Sequence, residues 1–165
     1  MKNHFIDTDK NPVCPNGWTV EEHKKMGMWE WNPKEVILHL EPEQEKRNLV
    51  GNVLRERLKD KPVLNANVLD YLLAHSEFIP EEWKNEYVFF WGTVYRVPGG
   101  GLFVRFLRWF GGRWRWHWRW LRNDWGGDSP AALRASSSVE PLSVEVLEVK
   151  LKVGDKEMIF VPKEE

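Results

Sequence analysis

The chain has 165 residues, of which 42% are hydrophobic and 30% charged, and its formal net charge is -1. This length suffices for one domain with a hydrophobic core, and the single cysteine, Cys14, excludes an intrachain disulfide and a cysteine-based zinc site. No secretory signal and no run of 18 apolar residues is visible, so we expect a soluble protein in the cytoplasm.

Short elements are predicted for the first part of the chain. Residues 1–18 are rich in turn formers and predict an irregular arm, and a capping-box spacing predicts a short helix over 20–26. Alternation of apolar with polar residues predicts short strands at 29–31 and 36–40. The charge run at 41–47 is typical of a solvated face.

The hydrophobic period then changes to that of helices. Leu54 and Leu58 are four residues apart and predict one helix. Asn65 or Asn67 can cap a second helix, whose apolar stripe is formed by Leu69, Leu72 and Leu73. A third short helix is predicted at 80–84, PEEWK, because proline is tolerated at the first position of a helix. These helices are most simply part of the core.

Strands are predicted for the following region. Residues 87–96, YVFFWGTVYR, are rich in aromatic and β-branched residues, and a Gly-rich turn joins them to 102–109. A further strand is predicted at 113–121. Beyond Ser136 we expect a linker and then a C-terminal β-hairpin of unknown role within 136–165.

An aromatic and basic stretch runs from Arg105 to Trp125, with no acidic residue before Asp124. It holds six of the 11 tryptophans in the chain: Trp109, Trp114, Trp116, Trp118, Trp120 and Trp125. From 114 to 120 the tryptophans recur at every second position, which is the period of a strand. One face of that strand would therefore carry the indoles, and the other would carry Arg113, Arg115, His117 and Arg119.

Known catalytic patterns are missing from the sequence. The five histidines are scattered without metal-ligand spacing, and there is neither a nucleophile elbow nor a phosphate-binding loop. We therefore predict that the protein is not an enzyme and has no catalytic residues, cofactor or metal ion.

Binding or simple packing could explain the Arg/Trp stretch. Arginines that bind phosphates and indoles that stack on unpaired bases would suit a constitutive single-stranded nucleic-acid-binding module. A membrane interface uses the same two residue types, although a strand within a sheet would not reach a bilayer. The plainest alternative is that the indoles are core and the arginines cover the sheet.

A family resemblance covers residues 6–135. The segments VLNANVLDYLLAH, IPEEWK, VFFWGTVYR and GGRWRWHWRWLRNDWGGDSPAAL resemble the variable proteins of diversity-generating retroelements. The resemblance implies a C-type lectin fold and a function in binding diverse ligands. It also implies a variable region, at about 105–134, that is rewritten by adenine-specific mutagenesis acting above all on asparagine codons.

The genetic code separates replaceable from fixed residues in such a region. Changing the adenines of AAC or AAT can give Arg, His, Asn, Asp, Gly, Ser or Phe, but never Trp. The resemblance therefore implies that the ligand-binding, variable residues are Arg108, Phe110, Arg115, His117, Arg119, Arg122, Asn123, Asp124, Gly126, Gly127, Asp128 and Ser129. It likewise implies a fixed scaffold whose indoles pack inward, formed by Trp109, Trp114, Trp116, Trp118, Trp120 and Trp125.

The resulting expectation is a single α+β domain at 1–135 with a C-type-lectin-like fold, in which short helices pack on a small twisted, mainly antiparallel sheet. Its function would be to display a hypervariable recognition surface. Because the outward residues are basic, the partner is expected to be a protein with an acidic patch, or alternatively a nucleic acid, and not a membrane. The sequence predicts neither the identity of the ligand nor the oligomeric state.

Overall fold

Short strands and short helices alternate along the chain. The computed structural model describes residues 4–135, together with the backbone of 153–154 and 156–160. The strands of the first region are β1 (Phe5–Asp7), β2 (Thr19–His23), β3 (Met28–Glu30), β4 (Val36–His39), β5 (Leu49–Val50), β6 (Val88–Phe89), β7 (Thr93–Arg96), β8 (Leu102–Phe110), β9 (Arg113–Trp120), β10 (Asp124–Trp125) and β11 (Ala131–Arg134). The helices are α1 (Pro42–Lys46), α2 (Gly51–Leu58) and α3 (Ala66–Ala74), with 3-10 turns at Pro33–Glu35, Ser76–Phe78 and Glu81–Asn85.

The main sheet is built around β8. Its strand order is β2-β7-β8-β6-β11-β4, and β9 pairs with the other edge of β8. All of these pairings are antiparallel except the one between β6 and β11. The fold is thus α+β, with a few helices on a curled, mainly antiparallel sheet, and residues 1–134 form one compact unit.

Alternation along β8 divides the core between the two faces of the sheet. Leu107 packs in a cluster that includes Leu69 and Leu72 of α3. Phe106, the preceding residue, packs in a second cluster that includes Leu54 and Leu58 of α2. The leucines that predicted the two helices are therefore the residues that attach each helix to the sheet.

Of the three helices predicted at 51–84, the first two are confirmed. The second of them begins after Asn65, whose side-chain oxygen accepts a hydrogen bond from the backbone N–H of Asn67 at 3.0 Å. The predicted third helix is a 3-10 turn at Glu81–Asn85 that follows Pro80.

The helix predicted at 20–26 is wrong. Residues Thr19–His23 form β2, which pairs antiparallel with β7, and Val20 lies opposite Tyr95. A capping-box spacing is a local signal only, and here the hydrogen bonds of a neighbouring strand outweigh it. The predicted irregular arm at 1–18 is likewise partly a strand, since β1 pairs with β3.

Two further predictions need correction. The charge run at 41–47 is not uniformly solvated, because Glu41 and Gln44 are buried and make reciprocal capping contacts at α1. The predicted strand at 87–96 is divided into β6 and β7. Between them the chain passes Asn65 so closely that a Cβ at Gly92 would lie 2.8 Å from the Asn65 Cα.

A second compact unit comprises residues 135–165. In it β12 (Val153–Gly154) and β13 (Lys156–Phe160) pair with each other. The predicted linker at 136–138 lies outside the described residues.

Candidate functional site

The Arg/Trp hairpin, which we define as β8, β9 and the turn between them, carries most of the predicted binding residues. Its strands are in continuous register from Phe103 opposite Trp120 to Phe110 opposite Arg113. The turn residues Gly111 and Gly112 have φ values of 65° and 81°, a conformation that strongly favours glycine. The turn that sets this register therefore depends on both glycines.

The tryptophans of β9 lie on the face of the sheet that also carries α3. Trp114 and Trp116 are half-buried against the cluster around α3, and the Trp120 ring lies 5.7 Å from that of Phe103. Gly101 makes room for Trp120, because a Cβ there would lie 2.4 Å from the indole. Trp109 is also half-buried, with its ring 5.6 Å from that of Trp114.

Trp118 and Trp125 differ from these half-buried tryptophans, because the first is more exposed and the second is completely buried. Trp118 is 45% exposed, so the predicted inward packing is wrong for this residue. β9 lies at the edge of the sheet. The Trp18 ring packs edge-on against the Trp118 ring, with 5.8 Å between the ring centroids, and leaves part of it uncovered. Trp125 is fully buried on the other side of the sheet, against Phe89 and Trp91.

Arg105 belongs to the core, although the sequence places it within the basic stretch. Its guanidinium donates two hydrogen bonds to the Asp70 carboxylate of α3, at 2.8 and 3.1 Å, and lies 4.1 Å from the centre of the Trp116 ring. Burial alone would lower the pKa of Arg105, but the hydrogen bonds and charge of Asp70 outweigh burial and raise it. The alternation of residues along β8 could have indicated this burial, because Arg105 lies on the same face of the strand as the core residue Leu107.

The opposite face of the hairpin carries the predicted variable residues of β8 and β9. Arg108 lies directly opposite Arg115, and His117 lies opposite Phe106. The Arg115 Nε donates to the backbone oxygen of Phe110 at 3.0 Å, while the Arg108 guanidinium lies 4.6 Å from the centre of the Phe110 ring. Two like charges therefore face each other across the strands, which is unfavourable without an anion nearby.

Arg119 is a half-buried arginine of the outer face that packs among aromatic rings. Its guanidinium lies 4.8 Å from the centre of the Phe89 ring and donates to the Ser129 Oγ at 2.9 Å. Burial lowers the pKa of this guanidinium. Arg119 therefore supports the following loop as well as contributing charge.

The loop after β9 exposes most of the remaining predicted variable residues. Arg122, Asn123, Asp124, Gly127 and Asp128 are exposed, and Gly126 is half-buried. Ser129 is fully buried, which is a correction to the exposed surface predicted for this set. Its Oγ donates to Asp128 at 2.9 Å, and its carbonyl accepts from the Gln44 Nε2 at 3.1 Å.

The glycines of this loop differ from those of the hairpin turn. Neither Gly126 nor Gly127 has a positive φ, so their backbone conformations are open to other residues. A Cβ at Gly127 would lie 3.5 Å from its nearest neighbour, an ordinary contact, and one at Gly126 would meet only a side chain within 3 Å, that of Asn48. The loop therefore accommodates replacement where the turn does not.

The charge of the site is largely uncompensated. Five of its arginines take part in no salt bridge within residues 4–135: Arg108, Arg113, Arg115, Arg119 and Arg122. Arg55, Arg57, Arg96 and Arg105, in contrast, each pair with a carboxylate. The outer face of the hairpin thus presents cations that are free to pair with a ligand.

We expect Arg119→Asn to lower the free energy of unfolding by about 1–2 kcal/mol, through loss of the ring contacts and of the bond to Ser129. Arg115→Asn, which removes an outer-face arginine from the same strand, should cost less than about 0.5 kcal/mol. Urea denaturation of both variants measures the difference. Equal losses would contradict the supporting role of Arg119.

In the described part of the chain, none of the helices is long and apolar enough to cross a membrane, and no cluster of three His, Cys, Asp or Glu side chains could hold a metal ion. Neither the models of known protein families, nor the curated proteins, nor the solved structures gave a match to this chain.

Proposed function

We propose that this chain is a non-enzymatic ligand-binding protein with a C-type-lectin-like fold, a variable protein of a diversity-generating retroelement. Its recognition surface consists of the outer face of the Arg/Trp hairpin and the exposed loop at 122–128. The ligand is a protein with an acidic patch.

The observation that carries this proposal is the division of the hairpin into two faces. On the outer face lie the residues that adenine mutagenesis can produce: Arg108, Phe110, Arg115, His117 and Arg119. On the inner face lie the residues of β9 that it cannot produce, namely Trp114, Trp116, Trp118 and Trp120. The half-buried rings of Trp114, Trp116 and Trp120 stabilise the backbone from the inner face, so most outer residues can vary without unfolding the domain.

The choice of an acidic ligand follows from the uncompensated arginines. Arg108 and Arg115 lie opposite each other, and an anion placed between them would relieve their repulsion. Electrostatic complementarity of this kind mainly sets specificity and association rate. In other variants of the same surface, other residues would select other ligands.

A constitutive single-stranded nucleic-acid binder is the second candidate, and the exposed Trp118 ring favours it. Stacking on bases and contact with phosphates require aromatic rings and cations on one surface. Here Arg115 and His117 point away from the face that carries Trp118. Binding of an oligothymidylate that is steeply salt-dependent would support this candidate over the first.

The sequence around the gene tests the proposal directly. We expect a reverse transcriptase gene nearby, with a template repeat that matches codons 105–134 except at adenines. Asparagine codons should stand in the template at the outer-face and loop positions, and tryptophan codons should be identical in both copies. A genome without such a repeat would exclude the retroelement assignment.

A further inference from the structure

β9 forms one edge of the main sheet, and the pairing pattern shows which backbone groups lie at that edge. Within residues 4–135, β9 pairs only with β8. The Leu121 N–H donates to the Leu102 carbonyl at 3.0 Å, whereas the Arg105 carbonyl points the other way and accepts from Phe90 at 3.1 Å. Hydrogen-bonded and non-hydrogen-bonded pairs alternate in an antiparallel ladder. The outer-face residues of β9 therefore bond to β8, and the tryptophans do not.

The N–H and C=O groups of Trp114, Trp116 and Trp118 thus point away from β8. None of them has a hydrogen-bond partner among residues 4–135. Unpaired groups along a regular strand are a template for the addition of another strand. The Trp118 ring, 45% exposed, lies beside this open edge.

We propose that the open edge of β9 binds an extended, acidic segment of the protein ligand as an additional strand of the sheet. This inference rests on the proposed function and specifies how the same site would hold its ligand. The backbone of the tryptophans supplies the hydrogen bonds, and the side chains on either face supply selectivity.

The two faces of β9 define the sequence of the segment. Side chains of an added strand lie about 5 Å from those directly opposite on the same face. On the outer face they meet Arg113, Arg115, His117 and Arg119, which favours carboxylates. On the inner face they meet the half-buried and exposed indoles of Trp116 and Trp118, which favours apolar residues. The segment therefore alternates acidic and apolar residues.

A second copy of this chain in antiparallel orientation does not fit the same edge. If two β9 strands paired antiparallel through their tryptophan backbones, Trp would lie opposite Trp and the Arg/His row opposite itself. Directly opposed like charges are destabilising, and no acidic residue of β9 would offset them. A partner of opposite charge avoids this repulsion and is the occupant that the edge favours.

This arrangement separates constant from variable contributions to binding. The edge hydrogen bonds come from the backbone of residues that adenine mutagenesis leaves unchanged. Replacement of Arg115 or His117 alters only the row of side chains beside the docked strand. A diversified protein could thus retain one docking mode while its preference for sequence changes.

Synthetic peptides test the inference with the full-length protein. The probe is a capped peptide of about ten residues that alternates Glu and Val, and its control has the same composition with the glutamates in one block. We expect the alternating peptide to bind at least about 10-fold more tightly in calorimetry. It should also slow hydrogen exchange at the amides of Trp114, Trp116 and Trp118. Equal affinities, or no binding at about 1 mM peptide, would overturn the inference.

N-methylation of the probe distinguishes backbone pairing from simple charge attraction. Methyl groups on the Val amides block an antiparallel docked strand, and methyl groups on the Glu amides block a parallel one. One of the two methylated peptides should lose at least about 10-fold in affinity while the other binds as before. If both bind like the parent peptide, strand addition does not occur.

A charge-reversed variant keeps this test separate from the proposed function. Arg115→Glu with His117→Glu should prefer an alternating Lys/Val peptide and remain sensitive to N-methylation. If its preference stays acidic, the outer face is not the recognition surface, and the proposed function fails. If the preference reverses but methylation has no effect, only the edge-docking inference fails.

Discussion

Trp125→Ala is expected to lower the free energy of unfolding by about 3–5 kcal/mol, the range for truncating a large buried aromatic residue. The indole is fully buried, and its ring lies 5.2 Å from those of Phe89 and Trp91. The indole is packed tightly against α2, because a Cβ at Gly51 would lie 2.3 Å from it.

Trp118→Ala is the matched control for this prediction. It removes the same side chain from the same stretch, but Trp118 is 45% exposed, so the loss should stay below about 1.5 kcal/mol. Urea denaturation of both variants with the parent protein measures the two differences, and an unchanged m-value would show that the unfolded states are comparable. Similar losses would mean that burial does not distinguish the scaffold tryptophans.

The contrast between these two residues shows how far alternation predicts the site. The two-residue repeat in the sequence assigned the tryptophans and arginines of β9 to opposite faces, and the structure confirms that division. A period does not show what covers each face. That depends on strand order, which leaves β9 at the edge and Trp118 partly open. Trp125 lies beyond the regular run, so alternation did not indicate its burial, and only the family resemblance implied that it packs inward.

Elsewhere in the chain, sequence patterns predicted an element correctly when its stabilising contacts lie close together in the sequence. The helices of Leu54 and Leu58 and of Leu69 and Leu72 follow from apolar spacing within one turn. β2 was missed because its structure depends on pairing with β7, some seventy residues later in the chain. Ser129 was assigned to the exposed set from its residue type alone, whereas its burial depends on contacts with Gln44, which lies 85 residues away in the chain.

Asp70→Ala is expected to cost about 3 kcal/mol, since it leaves the buried guanidinium of Arg105 without its carboxylate. Arg105 is 2% exposed and has no other carboxylate in a salt bridge within residues 4–135. The Asp70 side chain is itself 28% exposed, so water can partly replace it and keep the loss near the lower end of the range for broken buried pairs. Thermal and urea denaturation measure the effect.

Removing both charges separates the cost of an unpaired charge from the contribution of the pair. Arg105→Met with Asp70→Leu should be clearly more stable than Asp70→Ala, because apolar side chains of similar size need no partner. A loss equal to the sum of the single variants would show that the two residues act independently.

Arg105 also differs from the outer-face arginines in its effect on binding. Since its charge is neutralised by Asp70 beneath the sheet, the double variant should keep the preference for acidic peptides that Arg115 and His117 confer.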